Sequence, residues 1–264
     1  MLELRNIKVV FGKGTITEIT ALDNVDLQVQ KGDYITIIGS NGAGKTTMIE
    51  TIAGTIPPTT GRVIIEGRDV TRWPDYRRAA WIGRVFQNPL AGTSPEMSIE
   101  ENLALALLRG GRHTLRPGVT GSRRDLFRQA LAELGIGLEN RLSDSVSLLS
   151  GGQRQCLTLV MATLQKPKIL LLDEHTAALD PKNQELVMEI TDRIIAEHGL
   201  TVLLVTHNMA HALKHGNRTI MMHQGQIIAS FGEADKRQLE PEDLVKRFHE
   251  VRGAALDDRV LLAD

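Results

Sequence analysis

Cysteine and aromatic residues are scarce in this sequence of 264 residues. Cys156 is the only cysteine, so no disulfide can form within the chain, and we expect a protein of a reducing compartment such as the cytosol. Only five Phe, two Trp and two Tyr are present, so an aromatic side chain close to a candidate site is easily noticed. Hydrophobic residues still make up 42% of the chain, which is ample for a packed core.

The sequence also lacks any excess of charge and any long apolar segment. The formal net charge of −1 gives no electrostatic basis for binding nucleic acid, and we expect no nucleic-acid partner. No apolar run approaches the roughly 20 residues that cross a bilayer. The first residues, Met1 to Arg5, lack the basic and apolar layout of a signal peptide. We therefore expect a soluble chain that reaches a membrane only through a partner protein.

The most informative segment is a glycine-rich loop between a predicted strand, 34–38, and a predicted helix, 46–53. The phosphate-binding pattern G-x-x-x-x-G-K-[ST] is matched by Gly39, Ser40, Asn41, Gly42, Ala43, Gly44, Lys45, Thr46 and Thr47. In such a loop, inward-facing backbone N–H groups and a helix N-terminus attract phosphate. We expect Lys45 to add a charge for the β- and γ-phosphates and the Thr46 hydroxyl to bind magnesium. A dinucleotide-binding loop fits less well, because the glycines do not follow the order G-x-G-x-x-G.

A second anion-binding helix end is predicted far from the first in sequence. Leu149 is followed by Ser150, Gly151, Gly152 and Gln153, and a helix is predicted from there to about Leu164. Ser150 is placed as an N-cap, and the two glycines leave backbone N–H groups unobstructed. Taken alone, this pattern is weak evidence, because many helix starts resemble it.

Two carboxylates follow a run of aliphatic residues. Residues 169–172 predict a central strand covered on both faces, and Asp173 and Glu174 come directly after it. Because buried charges are costly unless they are paired or bind a metal, we expect Asp173 to hold magnesium and Glu174 to orient or activate an attacking water. The alternative is that both carboxylates only terminate the strand.

Further polar residues follow in the next part of the chain. Asp180 and Pro181 begin a predicted helix that Gly199 ends, and a strand over 201–205 leads to His207, which can donate a hydrogen bond to a γ-phosphate. His207, His211 and His215 have the i, i+4 spacing of helical metal ligands. Since no Glu or Cys completes a ligand set, structural or solvent-exposed roles are favoured for the last two.

The remaining pattern predicts strands before residue 89 and helices after it. Helices are expected from Ser98 to about Leu108, and from Ser122, as N-cap, to Gly135. The other expected elements are strands at 2–11, 22–29, 62–66 and 79–86, a hairpin of 218–222 and 226–231, an exposed loop at 109–124, a final helix at 240–251 and a loose tail at 253–264.

Together these residues resemble the ATP-binding subunit of an ABC transporter over about residues 1–235. Residues 39–47 resemble the Walker A loop, 169–173 Walker B, 149–153 the ABC signature and 178–180 the D-loop. Gln87 corresponds to the Q-loop glutamine, Glu174 to the catalytic glutamate and His207 to the switch histidine. Phe11 is a candidate for the A-loop aromatic that stacks on the base, although a core residue of an edge strand is an equal interpretation. His175 departs from the proline of many relatives.

The resemblance implies an α/β fold with a P-loop (RecA-like) core sheet, an antiparallel β subdomain and an inserted helical subdomain. The ATP-binding core with its β subdomain is expected at 1–88 and 166–235, and the helical subdomain with the signature at 89–165. A C-terminal helix and tail are expected at 236–264.

The resemblance also implies a cofactor set and a mode of assembly. ATP and Mg²⁺ are expected, with Thr46, Gln87 and Asp173 at the metal. Two chains, identical or close paralogues, would form a head-to-tail sandwich in which Ser150 to Gln153 and Asp180 complete the partner's ATP site. Membrane permease subunits are expected partners, through 89–165, and so is an extracytoplasmic binding protein. The location is then the cytoplasmic face of the inner membrane, held peripherally through the permease.

Three functions compete at this point. The first is the ATPase of a bacterial importer, with amino acids as the class of cargo that the general appearance of the sequence favours. The second is the ATPase of an exporter, which would share every catalytic residue. The third is an ABC protein that acts outside transport, but such chains usually carry long coiled-coil insertions or two cassettes, and neither is present.

Overall fold

The fold is described by a computed structural model that covers residues 1–111, 117–248 and 250. The strands are β1 (Leu2–Phe11), β2 (Ile19–Val29), β3 (Tyr34–Gly39), β4 (Thr60–Ile65), β5 (Arg68–Asp69), β6 (Ile82–Val85), β7 (Ile169–Asp173), β8 (Thr201–Val205), β9 (Arg218–His223) and β10 (Gln226–Phe231). The helices are α1 (Lys45–Ala53), α2 (Asp75–Arg78), α3 (Ile99–Leu107), α4 (Gly121–Ala132), α5 (Gly151–Thr163), α6 (Pro181–His198), α7 (Met209–Lys214) and α8 (Glu233–Lys236). Short 3-10 helices lie at Pro89–Gly92, Leu138–Asn140 and Val146–Leu148.

A six-stranded sheet forms the centre of the molecule, in the order β10-β9-β3-β8-β7-β6. Its strands pair in parallel except for β10, which is antiparallel to β9. Every residue of β7 and β8 is buried, as expected for aliphatic strands covered on both faces. Because parallel strands end at the same edge, Gly39, Asp173 and Val205 are brought together there.

The second sheet is antiparallel, in the order β2-β1-β4-β5. Its buried residues share one hydrophobic cluster with Met48, Ile49 and Ile52 of α1. The phosphate-loop helix is therefore packed between the two sheets, and the sheet residues that contribute to this cluster include Leu2, Leu4, Ile7, Val9, Leu22, Val25, Leu27, Val29, Val63 and Ile65. This arrangement confirms the predicted α/β class with an additional antiparallel sheet.

The segment between β6 and β7 is mainly helical and packs on the other face of the central sheet. Leu103 of α3, Phe127 of α4 and Leu159 of α5 belong to one cluster with Leu172 of β7 and Ile194 of α6. The predicted boundaries of a separate helical subdomain stay a prediction, because the hydrophobic core is continuous across them.

Most helix ends follow the local rules. The Ser98 hydroxyl accepts from the N–H of Glu101, whose side chain accepts from the N–H of Ser98, so α3 begins with the predicted capping box. Asp180 caps α6, and Gly199 ends it with a positive φ of 58°. The prediction that Ser122 caps α4 was wrong, because Thr120 accepts from the backbone N–H of Arg123 instead.

The sequence pattern missed α2 and extended the next strand too far. The expected strand 79–86 is only Ile82–Val85, preceded by a short helix. Arg78 at the end of that helix is 1% exposed, and its guanidinium donates to the carbonyl oxygens of Thr51 and Ile52 at 2.8 and 2.9 Å. This buried cation closes the C-terminal end of α1. No local sequence pattern predicts such a contact.

The C-terminal part is described as far as its helix. Residues 241–248 are helical, and Leu244 is buried against Ile38, Ala212 and Met221. The predicted end of this helix at Val251, the tail at 253–264 and residues 112–116 of the predicted loop lie outside the described residues. Of the helices in the part of the chain that is described, none is long and apolar enough to cross a bilayer.

Candidate nucleotide-binding site

One cleft at the carboxyl edge of the central sheet collects most of the predicted site residues. It has a volume of about 880 Å³ and is lined by Phe11, Ile19, Thr20, Ala21, Asn41, Gly42, Ala43, Gly44, Lys45, Thr46, Thr47, Gln87, Glu174 and His207. These residues come from six separate segments of the chain. Gly39 and Ser40 lie at the base of the loop, where their carbonyl groups accept from Lys45.

The phosphate loop owes its shape to glycines at positions where a side chain would collide with backbone. Gly39 has a φ of 157°, and a Cβ there would lie 2.4 Å from the carbonyl oxygen of Met222. Gly44, immediately before α1, has a φ of 95°, and its Cβ would lie 2.5 Å from the carbonyl oxygen of Ala21. The two sheets thus press on the loop from both sides, and only glycine fits.

The side chain of Lys45 folds back onto the phosphate loop. Its Nζ donates to the carbonyl oxygens of Gly39 and Ser40, at 2.8 and 3.1 Å. Burial lowers the pKa of Lys45, while Glu174 and Asp173 act in the opposite direction. The ammonium group therefore stands between the loop and the two carboxylates, where it would meet a phosphate.

The two carboxylates after β7 have different environments. Asp173 is 7% exposed; burial raises its pKa, and the guanidinium of Arg84, with Nη2 at 3.7 Å from Oδ2, opposes that rise. Glu174 has a φ of 45°, and its N–H donates to the carbonyl of Val205 at 3.0 Å. This left-handed turn separates the two side chains, so that Glu174 reaches the cleft, with Oε2 at 3.5 Å from Nδ1 of His207.

The oxygen donors near these carboxylates suit magnesium. The Thr46 hydroxyl and the Gln87 amide line the cleft, and Asp173 is the last residue of β7, directly before the cleft residue Glu174. Hydroxyl, amide and carboxylate oxygens are the ligands that Mg²⁺ takes in nucleotide sites, usually together with water and phosphate. The chemistry of this set therefore fits the metal expected from the sequence.

Phe11, the last residue of β1, is part of the wall of the cleft. It is 42% exposed and pairs across β1 and β2 with Ile19, which also lines the cleft. The interpretation of Phe11 as a core residue is therefore wrong. Stacking of its ring on a nucleobase stays a prediction.

The signature residues and the D-loop aspartate lie apart from this cleft, on one common surface. Ser150 caps α5, since its hydroxyl accepts from the N–H of Gln153 at 3.3 Å. A Cβ at Gly152 would lie 3.0 Å from Oδ1 of Asn183, and the N–H of Asn183 donates to Asp180 at 3.2 Å. Within the described part of one chain, Ser150, Gly151, Gly152, Gln153 and Asp180 are thus separate from the phosphate loop.

His175 comes directly after the cleft residue Glu174, in a buried environment that the sequence did not reveal. It is 2% exposed, and its Nε2 lies 3.2 Å from Oγ1 of Thr191. The Thr191 hydroxyl already donates to the carbonyl of Val187 at 2.7 Å, so it accepts from His175, which is a neutral Nε2–H tautomer. His215 is likewise buried and contacts Asp192 at 2.6 Å, which agrees with the predicted structural role.

We predict that His175 makes the protein acid-sensitive. Burial lowers the pKa of His175 from 6.5 to about 4, so the unfolded chain binds a proton that the folded chain does not. Stability is therefore lost as the pH falls from 6.5 towards 4. Between pH 7 and pH 5 the loss should be about 2 kcal/mol. In denaturant titrations at pH 7 and pH 5, His175→Leu should reduce the difference in unfolding free energy by about that amount, whereas an unchanged difference would contradict the assignment.

The matches to known proteins agree with this geometry. The family model of the ABC transporter matches residues 22–177. A tyrosine transport ATP-binding protein of Clostridioides difficile is 39% identical over 94% of this chain and 98% of its own length. A methionine import ATP-binding protein of Enterococcus faecalis is 35% identical over 94% of this chain and 70% of its own length.

Solved structures of the same kind superpose on the fold. A bacterial ABC transporter cassette solved as a dimer is 30% identical, with a TM-score of 0.76 over 88% of this chain and 99% of that one. A dimeric cassette in a post-hydrolysis state with ADP and Pi gives a TM-score of 0.75 at 30% identity, with the same coverage. The chain belongs to the ABC transporter family, as one of its ATP-hydrolysing cassettes.

Proposed function

We propose that this cassette is the ATPase subunit of a bacterial importer and that it works as a dimer on Mg²⁺–ATP. The observation that carries the proposal is the cleft itself, in which the phosphate loop, Gln87, Glu174 and His207 meet. The cargo class we infer is an amino acid, because relatives named for tyrosine transport and methionine import align with 94% of the chain. Export is not favoured by these relatives.

The predicted site residues that line the cleft share the binding and the hydrolysis of ATP. The loop N–H groups and Lys45 would hold the β- and γ-phosphates, while Phe11 stacks on the base. Thr46, Gln87 and Asp173 would hold Mg²⁺, which neutralises charge that develops on the phosphate oxygens. Glu174 would orient the attacking water and take its proton, and His207, next to Glu174, would donate to the γ-phosphate.

The dimer follows from the two separate anion-binding surfaces. The start of α5 offers N–H groups for a phosphate, yet it lies outside the cleft of its own chain. In a head-to-tail pair, Ser150 to Gln153 and Asp180 would face the ATP of the partner, which explains why one chain carries both surfaces. The partner is a second copy or a close paralogue, and the dimeric cassettes of similar fold support this arrangement.

The proposal includes the remaining parts of the transporter. Residues 1–88 and 166–235 form the catalytic core, 89–165 the helical subdomain that contacts the permease, and 236–264 a C-terminal extension. The chain would be held at the cytoplasmic face of the membrane by permease subunits, with a binding protein on the far side delivering the cargo. Purification from native membranes tests this, since a permease without a binding protein would point to export.

A mixing experiment tests the sandwich directly. Ser150→Arg should lower ATP turnover at least about tenfold, because a bulky cation replaces the cap that faces the partner's phosphate. Lys45→Ala should be inactive for a different reason, in the other half of the composite site. Mixing the two variants restores one intact site in each mixed dimer, so about a quarter of the parent turnover should return.

The matched control is Ser122→Arg, which changes an exposed serine on α4 in the same way. It should keep parent turnover, and Ser150→Arg alone should still bind ATP as a monomer. Full turnover of Ser150→Arg, or no recovery of turnover on mixing although mixed dimers form, would contradict the composite site.

A further inference from the structure

Arg84 lies behind the nucleotide site and has no role in the proposed function so far. It stands on β6, beside β7, and its side chain is only 15% exposed. Sequence motifs draw attention to Gln87 three residues later and pass over it. A guanidinium at this depth carries a full charge under all ordinary conditions, so its partners matter.

Two carboxylates share this guanidinium. Nη2 lies 3.4 Å from Oε1 of Glu50 on α1 and 3.7 Å from Oδ2 of Asp173. Both distances are longer than the 2.7–2.9 Å of a strong charge-assisted hydrogen bond. Arg84 is therefore shared between the two acceptors and locked to neither.

An aromatic ring supports the guanidinium from a third side. The Cζ atom lies 4.6 Å from the centre of the Phe86 ring, a cation–π distance. Phe86 can therefore keep the guanidinium in place even when one carboxylate is engaged elsewhere. The geometry describes a cation that can transfer its attraction from one partner to another without leaving the site.

The charges around Asp173 show what this cation does. Without a metal, the buried Asp173 and the half-buried Glu50 are neighbouring acidic groups that repel each other, and a cation between them offsets that repulsion. With Mg²⁺ on Asp173, the same guanidinium becomes a like charge close to the metal. Before the metal binds, Arg84 is attracted to Asp173. After the metal binds, Arg84 is repelled by the metal's charge.

We propose that Arg84 is the resident counter-ion of the Asp173–Glu50 pair and that it exchanges with Mg²⁺ at Asp173. When the metal enters, Arg84 gives up its share of Asp173 and stays on Glu50 and Phe86. It is a positioning residue that keeps Asp173 in place before the metal arrives and limits the affinity for the metal afterwards. This inference rests on the proposed assignment of Asp173 to magnesium.

The test is a titration with Mn²⁺, followed by electron paramagnetic resonance. The full chain is loaded with a non-hydrolysable ATP analogue and kept in excess over it, so that little free nucleotide binds the metal. Arg84→Gln removes the competing cation and should tighten Mn²⁺ binding about tenfold. Glu50→Gln leaves Arg84 entirely to Asp173 and should weaken Mn²⁺ binding by a similar factor.

The opposite signs distinguish exchange from a structural role, since general loosening of the site would weaken binding in both variants. Arg84→Lys keeps the charge and should stay within about threefold of the parent protein. The double variant Arg84→Gln with Glu50→Gln should bind Mn²⁺ nearly as tightly as Arg84→Gln alone, because Glu50 acts through Arg84; a return to the parent value would mean that the two residues act independently and would count against the exchange. Arg77→Gln is the matched control, because it removes a nearby arginine that stacks on Trp73 and should change nothing.

Two outcomes overturn the inference: unchanged or weaker Mn²⁺ binding in Arg84→Gln, or unchanged binding in Glu50→Gln. If Arg84→Gln does not fold, unchanged Mn²⁺ binding in Glu50→Gln would still overturn the inference. Asp173→Asn distinguishes a failure of the magnesium assignment from a failure of the role proposed for Arg84. If this variant binds Mn²⁺ as the parent does, the magnesium assignment fails. If Asp173→Asn loses the metal while Arg84→Gln and Glu50→Gln bind it as the parent does, only the role of Arg84 fails.

Discussion

Replacing Glu174 with glutamine should lower the rate of ATP hydrolysis about a thousandfold, the range expected on loss of a general base. The amide keeps the size and the hydrogen-bonding reach of the side chain, but it cannot take a proton from water. Nucleotide binding should remain, because Lys45 and the loop are unchanged. ATP should therefore stabilise a dimer of the variant, because the hydrolysis that would otherwise cause the dimer to dissociate does not occur.

The measurement is size-exclusion chromatography with and without saturating Mg²⁺–ATP, alongside a phosphate-release assay. The companion variant carries both Glu174→Gln and Ser150→Arg and should stay monomeric, since the partner's contribution is lost. If Glu174→Gln hydrolysed ATP at the rate of the parent protein, Glu174 would not be the catalytic base. A Glu174→Gln protein that stays monomeric with ATP would count against the sandwich.

The second large effect is expected at Lys45. Lys45→Ala removes a cation that is 7% exposed and faces the space above the phosphate loop. Loss of one partner of a desolvated charge pair costs several kcal/mol, so the affinity for ATP should fall by a factor of about 100 or more. Equilibrium binding of a fluorescent ATP analogue measures this directly.

Lys31→Ala provides the control for Lys45, because it removes an exposed lysine just before β3 and should bind ATP normally. Thermal unfolding of Lys45→Ala without nucleotide checks that the loop still folds, since the Gly39 and Ser40 carbonyls lose a donor. An undiminished affinity in a folded variant would refute the assignment of the phosphate-binding loop.

Arg78 and Arg84 show why part of the site is invisible in the sequence. Arg84 lies within the predicted strand 79–86 and Arg78 lies directly before it, and no motif marks either residue. Arg78 meets the end of α1 from 26 and 27 positions away, and Arg84 meets Glu50 from 34 positions away. Such contacts arise only when the two sheets and α1 pack together.

The sequence alone determined three kinds of feature: the phosphate loop, the strand that leads to Asp173, and the helix caps at Ser98, Ser150 and Asp180. Each depends on a few adjacent residues, because glycine torsions, aliphatic runs and N-cap side chains act on their own neighbourhood. The family likeness follows from the same short segments, and the matches to ABC cassettes confirm it.

The tertiary structure alone decided what surrounds these segments. It left Phe11 exposed in the wall of the cleft, buried His175 as a neutral base against α6, and kept the start of α5 outside the cleft of its own chain. Burial and distance between remote segments set these features, and both depend on how the sheets and helices pack. A sequence pattern reports the local conformation of the backbone, whereas the charge state and the partners of a side chain belong to the packed molecule.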